Sequence, residues 1–248
     1  MKPPYFRSTF FWGVDDPKAF NEGLDTQIAA ARVKAGWFAG DNLIAFGRNL
    51  GFLDDVAFMS AFKAHAKTAA ERGVVWRTAV VVWAARQALR REGDFIECGC
   101  YKGTTARILI DTVDLTSRRY FLYDLFEHDP AVMAHNAMPE HGAGLFGFVR
   151  DRFADATNVS VIQGPVPDSF SQGLPDRIAF AHIDMNNAPA EIGALDAIES
   201  RLVPGAMIVL DDFGAIPYRA QHLAETAWFA KRGISVLELP TSQGLAIW

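Results

Sequence analysis

Short apolar runs alternate with amphipathic stretches from residue 94 to the end of the chain. Runs rich in branched residues predict strands, and apolar residues at three- and four-residue steps predict the helices between them. This alternation predicts an α/β fold, in which helices cover both faces of a mostly parallel sheet. The predicted strands are residues 95–97, 120–124, 159–163, 178–183, 207–211, 235–239 and 245–248.

Helical spacing is clearest over residues 188–202, where Ile192, Leu195 and Ile198 recur, and residues 204–205 (Pro-Gly) are expected to end that helix. Crossovers between parallel strands are right-handed, so the carboxyl ends of the strands gather at one edge of the sheet. Ligands bind at that edge in open α/β sheets. We therefore look for the chemistry at the residues that end strands.

The first 92 residues have a different pattern. Residues 56–72 and 75–91 predict two helices, and the segments around 10–12 and 36–40 are aromatic, with glycines that suggest hinges. We predict a helical cap over residues 1–92, followed by a ligand-binding domain over residues 93–248. The aromatic residues are interpreted as core or dimer contacts, and the alternative is a lid that excludes water from the site.

Composition excludes several classes of function. The chain has 248 residues and a net charge of −5, with no basic stripe, so a nucleic-acid partner is not expected. We find no apolar stretch of the ~20 residues that cross a bilayer and no secretion signal, which predicts a cytoplasmic protein without a membrane partner. Cys98 and Cys100 are read as two small buried residues, because such close neighbours neither close a useful loop nor form a zinc site alone.

A glycine-spaced loop follows the first predicted strand, at residues 94–105 (DFIECGCYKGTT). We expect Gly99 and Gly103 to let a ligand approach the backbone, and the helix that begins near Thr104 to present its amides to a carboxylate. Glu97 would repel a pyrophosphate but attract the ammonium group of an amino acid beside a sulfonium. The loop therefore favours S-adenosylmethionine (SAM) over a dinucleotide. The alternative is a tight turn with Glu97 paired elsewhere.

The other predicted SAM contacts lie in the same loop and at the ends of the next two strands. Asp124 ends the second strand about twenty residues downstream, where such sites place the acid that binds the ribose hydroxyls. The alternative for Asp124 is a cap on the following loop. Gln163 would flank the adenine, unless it is simply part of a strand-ending turn. The predicted contacts are Glu97, Gly99, Tyr101, Gly103, Thr104, Thr105, Asp124 and Gln163.

Three aspartates end the next two strands, Asp184 after the fourth and Asp211 and Asp212 after the fifth. Carboxylates held close together favour a shared cation, and Mg²⁺ or a related divalent ion prefers oxygen ligands. Such an ion would bind an acceptor oxygen, lower its pKa and align it with the methyl donor. In the alternative, Asp212 caps the helix near Tyr218 and Asp211 accepts bonds from backbone amides.

Two histidines are candidate proton acceptors beside these aspartates. His182 lies two residues before Asp184 on the same strand face, and His222 lies on the helix after the fifth strand. Asp184 and His222 are the predicted catalytic residues. The alternative for each histidine is a purely structural role.

Together these motifs resemble the macrocin O-methyltransferase-like family of SAM-dependent enzymes, which act on sugar hydroxyls. The resemblance covers most of the chain and is carried by residues 41–44, 97–103, 123–124, 182–184, 202–205 and 211–212. It implies a Rossmann-like class I methyltransferase fold whose seven-stranded sheet has an antiparallel last strand. It also implies an N-terminal helical extension that shapes the acceptor site and helps form a homodimer, and Mg²⁺ held by Asp184, Asp211 and Asp212.

One departure from that family concerns the proton. Antibiotic-sugar members carry Asp-Gly-Asp at the end of the fourth strand, whereas this chain has Asp-Met-Asn, and Asn186 cannot take a proton. We expect a metal-dependent O-methyltransferase for a small-molecule hydroxyl, with a sugar in polysaccharide or natural-product assembly as the favoured acceptor. The alternatives are a nucleotide-dependent oxidoreductase on the same fold and a non-catalytic SAM-binding module.

Overall fold

The computed structural model describes residues 4–128 and 137–248. The chain divides into two compact units, Met1–Ala79 and Val80–Trp248. This division falls inside helix α4 (Val75–Ala88), earlier in the chain than the sequence boundary placed after residue 92. The role of the first region as a cap stays a prediction.

The N-terminal unit is not purely helical, so that part of the prediction is wrong. Its described elements before α4 are β1 (Tyr5–Arg7), α1 (Pro17–Ala30), β2 (Trp37–Gly40), β3 (Leu43–Ala45), α2 (Val56–His65) and α3 (Ala69–Gly73). The strands pair in the order β1-β2-β3. The aromatic segment forms the central strand because Phe38 is buried there and stacks on Phe6 at 5.1 Å. Asp41 and Asn42 both have positive φ, as a tight hairpin turn requires.

The predicted helix over residues 56–72 is two helices. Thr68 accepts a bond from the backbone N–H of Glu71, and the Glu71 carboxylate accepts one from the backbone N–H of Thr68. This reciprocal capping box begins a new helix at α3. The chain therefore breaks after α2 at a point that apolar spacing alone does not show.

The C-terminal unit has the predicted α/β fold. Its strands are β4 (Asp94–Cys98), β5 (Tyr120–Asp124), β6 (Val159–Gln163), β7 (Ile178–Ile183), β8 (Leu202–Leu210), β9 (Leu237–Glu238) and β10 (Gly244–Ile247). Its helices after α4 include α5 (Thr104–Thr112), α6 (Leu145–Arg152), α7 (Ala188–Ile198) and α8 (Arg219–Ala230).

Within the described ranges, the seven strands form one sheet in the order β6-β5-β4-β7-β8-β10-β9. The neighbours from β6 to β8 run parallel, and β10 runs antiparallel to β8. This is the Rossmann-like arrangement of class I methyltransferases, and the prediction of the fold class is confirmed. β4 and β7 lie in the interior of this order, and nearly all of their residues are buried, including Glu97 and His182 among mostly apolar side chains.

One predicted helix end is wrong. α7 ends at Ile198 and passes through a short 3₁₀ turn, Glu199–Arg201, while Pro204 and Gly205 lie inside β8. The pairing of β8 with β7 shifts register between Ile178 and Phe180. A bulge of this kind tolerates a proline that a regular ladder would exclude.

Two further expectations from the sequence concern the cysteines and membrane-spanning helices. Cys98 and Cys100 are free and buried, as predicted, and burial raises the pKa of both thiols well above the ordinary value. Among the residues that the structure describes, no helix is both long enough and apolar enough to span a bilayer.

Candidate active site

The glycine loop lies between β4 and α5, and both of its glycines are required by the protein itself. A Cβ on Gly99 would lie 1.8 Å from the backbone oxygen of Asp184, and a Cβ on Gly103 would lie 2.7 Å from the ring of Phe153. Both residues also have positive φ. Close packing and backbone conformation therefore explain these glycines, and the approach of a ligand to the other side of their backbone stays a prediction.

The start of α5 retains its capacity to bind an anion. Gly103 is the N-cap residue of this helix and provides no side-chain bond to its first amides. Thr104 and Thr105 occupy the first turn and are partly exposed. The first N–H groups of a helix point along its axis and favour a negative charge. This helix end therefore suits a carboxylate.

Asp124 ties the glycine loop to the end of β5. One oxygen accepts a bond from the backbone N–H of Tyr101 at 2.6 Å, and the other accepts one from the backbone N–H of Phe126 at 2.6 Å. The cap on the following loop, which the sequence left open as an alternative, is thus present. Asp124 therefore fixes the path of the chain in both loops that meet at the end of β5.

Two other predicted contacts lie at the same edge of the sheet. The Tyr101 hydroxyl bonds to the Glu140 carboxylate, and its ring meets His141 edge-on. Gln163 is exposed at the end of β6, where its amide donates to the carbonyl of Leu125 at 3.3 Å. Neither side chain is buried, so both lie where a ligand can reach them.

Glu97 is paired elsewhere, as the alternative reading allowed. It is 2% exposed, accepts a bond from the Tyr120 hydroxyl and lies with Oε1 3.4 Å from Nδ1 of His182. The register of the sheet places Glu97 directly opposite His182. In this structure Glu97 therefore contacts the protein interior, and its contact with a ligand ammonium group stays a prediction.

His182 joins Glu97 to one of the predicted metal ligands. Its Nε2 lies 3.4 Å from Oδ1 of Asp211, and the amide of Gln243 donates to that same oxygen at 2.9 Å. Burial lowers the pKa of His182, but the bonds and charges of Asp211 and Glu97 outweigh it and hold the pKa well above its ordinary value. We call Tyr120, Glu97, His182, Asp211 and Gln243 the histidine network.

The structure brings Asp184 and Asp211 together at the ends of neighbouring strands. The backbone N–H of Asp211 donates to the carbonyl of Ile183, and the backbone N–H of Asp184 donates to the carbonyl of Cys98. Ligand atoms of His182, Asp184 and Asp211 all lie within 4.8 Å of one another. Two carboxylates at this spacing fit a divalent cation, and His182 could be a further ligand only in its neutral form.

Asp212 is not part of that group among the described residues. It follows Asp211 after the end of β8, and its charge acts on Glu191 and Glu225, between α7 and α8. The N-cap residue of α8 is Tyr218, whose own side chain makes no capping bond. The three predicted metal ligands are thus not brought together as one set.

His222 is held by the chain that follows β8. Its Nδ1 lies 2.9 Å from the carbonyl oxygen of Phe213, and the two rings are 4.4 Å apart. A carbonyl can only accept, so Nδ1 carries the proton of a neutral His222. Nε2 then keeps its lone pair, which is the arrangement that a proton acceptor needs.

Sequence reasoning missed two buried glutamates. Glu191 on α7 and Glu225 on α8 are both 0% exposed, and we call them the glutamate pair. The signal was available: Glu191 shares a helix face with Leu195 and Ile198, and Glu225 precedes Trp228 and Phe229 at helical spacing. An acid at an apolar face position predicts a buried carboxyl group.

Comparison with known proteins identifies the same part of the chain. Residues 96–213 match a family model described as a methyltransferase domain. This stretch begins in β4 and ends just after Asp212, so it contains the glycine loop, Asp124, Asp184 and Asp211. No curated protein matches the chain in sequence.

Similar solved structures have the same fold at low identity. CalS11, a calicheamicin methyltransferase, is 13% identical with a TM-score of 0.61, and the alignment covers 95% of this chain and 94% of that one. The O-methyltransferase NovP is 15% identical with a TM-score of 0.59, covering 71% and 81%. The SAH-bound methyltransferase PaMTH1 of Podospora anserina is 13% identical with a TM-score of 0.53, covering 94% and 97%. The family match and the fold together support a methyltransferase.

Proposed function

We propose that this protein is a SAM-dependent O-methyltransferase that acts on a hydroxyl of a small molecule, with a sugar or sugar conjugate as the favoured acceptor. The observation that carries the proposal is that the methyltransferase-domain match spans both groups of predicted site residues. The acceptor class is supported by the name of a similar structure, CalS11, a TDP-rhamnose 3'-O-methyltransferase. The macrocin O-methyltransferase-like resemblance, the cytoplasmic location and the homodimer stay predictions.

The donor side of the site would hold SAM through the chain's own amides and acids. The N-terminus of α5 would bind the carboxylate of SAM, and Asp124 would accept bonds from the ribose hydroxyls. Gln163 would lie beside the adenine. Each of these groups is positioned by backbone bonds, so little ordering would be needed when the donor binds.

The acceptor side would use the ends of β7 and β8. Asp184 and Asp211 would hold a divalent cation such as Mg²⁺, and Asp212 stays a predicted third ligand. When bound, the cation supplies a Lewis acid that lowers the pKa of the acceptor hydroxyl. The methyl group then moves from sulfur to oxygen, and His222 Nε2 would take the hydroxyl proton. Asn186 stands where related enzymes have an acid and cannot perform that step.

Binding measurements test the donor. Isothermal titration should show that the protein binds SAM and not NAD. The oxidoreductase alternative predicts the reverse, and binding of NAD alone would overturn the proposal.

Transfer measurements test the reaction. The protein should move radiolabelled methyl from SAM to at least one member of a panel of sugar nucleotides in the presence of Mg²⁺, and EDTA should abolish the transfer. Transfer that ignores EDTA would remove the metal from the mechanism. SAM binding without transfer to any acceptor would favour the non-catalytic module.

Replacement of a predicted ligand tests the acceptor edge directly. Asp184→Ala should lower the transfer rate roughly a hundredfold or more while SAM affinity stays within about twofold, because only the acceptor side loses a ligand. Asp168→Ala, an exposed acid in a 3₁₀ turn, is the matched control and should change neither quantity. Unchanged turnover in Asp184→Ala would exclude Asp184 from the reaction.

A further inference from the structure

Among the described residues, the glutamate pair buries two carboxyl groups without a basic side chain to offset their charge. Glu191 and Glu225 are both 0% exposed, and in the part of the chain that the structure describes neither forms an ion pair with a basic side chain. Two ionised carboxylates buried side by side would repel each other and would also lose their hydration.

One oxygen of Glu191 holds the turn that leads from β7 into α7. Glu191 Oε1 accepts bonds from the backbone N–H groups of Met185 at 3.0 Å and Asn186 at 3.1 Å. Asn186 has a φ of 55°, a left-handed conformation that glycine and, after it, asparagine and aspartate adopt in single-residue turns. Asn187 then caps α7 by accepting a bond from the backbone N–H of Ala190. The Glu191 carboxyl group therefore fixes the backbone at the point where the turn is most constrained.

This turn directly follows Asp184. The backbone oxygen of Asp184 occupies the space beside Gly99 where a side chain would be, and its N–H bonds to the carbonyl of Cys98. The backbone on the β7 side of Asp184 is thus anchored to β4. The backbone on the α7 side is anchored by Glu191. A change at Glu191 is therefore expected to alter the position of Asp184, on which the proposed acceptor site depends.

The second oxygen of Glu191 faces Glu225, and the two carboxyl groups are expected to share a proton. Glu191 Oε2 and both oxygens of Glu225 lack a hydrogen-bond donor, although the two carboxyl groups are within hydrogen-bonding reach. A proton between them provides the missing donor. Burial and the charge of Glu225 raise the pKa of Glu191 well above its ordinary value, and burial raises the pKa of Glu225 to about 7. Glu191 thus donates to Glu225 with one oxygen and accepts from the turn with the other.

We propose that Glu191, held by Glu225, is a positioning residue that fixes the turn after β7 and so orients Asp184 in the acceptor site. This inference rests on the proposed function, because the orientation of Asp184 matters only if Asp184 binds the cation or the acceptor. Gln at position 191 should reproduce the arrangement, since its carbonyl accepts from the turn and its amide donates to Glu225.

Amide hydrogen exchange tests the positioning without any ligand. In the wild-type protein the amides of Met185 and Asn186 should be protected, and Glu191→Leu should speed their exchange at least about tenfold. Glu191→Gln should leave them protected. Leu195→Ala, a fully buried change on the same helix that touches neither amide, is the control for a general loss of packing. If these amides exchange in the wild-type protein as fast as in a free peptide, the proposal is overturned, whether or not Glu191→Leu folds.

The functional readout separates positioning from stability. Glu191→Leu should weaken Mg²⁺ binding and raise the KM for the acceptor roughly tenfold, while SAM affinity stays within about twofold, and Glu191→Gln should restore both. Leu195→Ala should lower the unfolding midpoint without weakening Mg²⁺ or acceptor binding relative to SAM binding. If the wild-type protein binds Mg²⁺ and transfers methyl groups but Glu191→Leu behaves like Leu195→Ala, the positioning role fails alone. If the wild-type protein neither binds Mg²⁺ nor transfers methyl groups, the proposed function fails. The positioning role then fails as well, even if the exchange measurement shows that Glu191 holds the turn.

Discussion

The histidine network and the glutamate pair both bury carboxyl groups near the carboxyl ends of β7 and β8, and they neutralise them by different means. In the network, His182 lies between Glu97 and Asp211 with 3.4 Å to each, so a cationic ring balances the acids. In the pair, two acids face each other, and burial and the charge of Glu225 raise the pKa of Glu191 well above its ordinary value. A cationic base offsets the charge of the acids beside it, whereas a proton shared by two acids would leave at least one carboxyl group neutral. The two groups should therefore respond differently to mutation and to pH.

The largest expected effect comes from removing the base. His182→Leu should lower the free energy of unfolding by about 3–5 kcal/mol, because Glu97 and Asp211 would remain buried without their cation. Urea unfolding measures this. Phe180→Leu, a fully buried change on the same strand, is the control and should cost only about 1 kcal/mol through lost packing. A loss in His182→Leu no larger than in the control would show that the network does not depend on the imidazole charge.

A smaller effect should distinguish the glutamate pair by its pH dependence. Burial raises the pKa of Glu225 from 4.5 to about 7, so the folded state binds this proton more tightly than the unfolded state. The stabilisation is present below the unfolded pKa and is lost as the pH rises toward the folded pKa. Wild-type stability should therefore fall by roughly 2 kcal/mol between pH 4.5 and 7 through this group.

Glu225→Gln should flatten that part of the pH profile, because the amide does not titrate but still bonds to Glu191. Urea unfolding across the pH range compares the two proteins. Glu238→Gln, at an exposed position on β9, is the control and should leave the wild-type slope unchanged. The same slope in Glu225→Gln as in the wild type would show that Glu225 does not titrate between pH 4.5 and 7.

The smallest effect is expected at Thr241, which bonds to Gln243 of the histidine network. The Thr241 hydroxyl donates to the side-chain carbonyl of Gln243 at 2.9 Å, and Gln243 in turn donates to Asp211. Thr241→Val should cost about 1 kcal/mol of stability and should loosen the orientation of Asp211 only slightly. A loss comparable to that of His182→Leu would mean that Gln243, and not His182, controls the acid.

The sequence predicts the sheet well because hydrophobic runs and strand ends are local features. The bounds of β5, β6 and β7 agree with the predicted ones, and Asp184 and Asp211 meet because neighbouring parallel strands end at one edge. The role of His182 was not predictable, since it depends on the register that places it opposite Glu97. No local pattern shows that register.

The position of the Asp212 carboxylate was also not predictable from local sequence. The sequence places it beside Asp211, but consecutive residues leave a strand in different directions, and only the backbone after β8 decides where each carboxylate goes. The N-terminal unit was mispredicted for a related reason, because aromatic residues suit a short strand as well as a helix. Its hairpin turn at Asp41 and Asn42 was the local signal for strands.

The contact between Gly99 and the backbone of Asp184 has a consequence for how such a protein could change its specificity. Because main-chain atoms of the donor loop and of Asp184 touch directly, any side chain at position 99 would displace the backbone that carries Asp184. Under the proposed function, position 99 would therefore have to remain glycine while side chains around the acceptor change. New acceptor specificity would then come from side chains at the edge of the sheet and not from this loop.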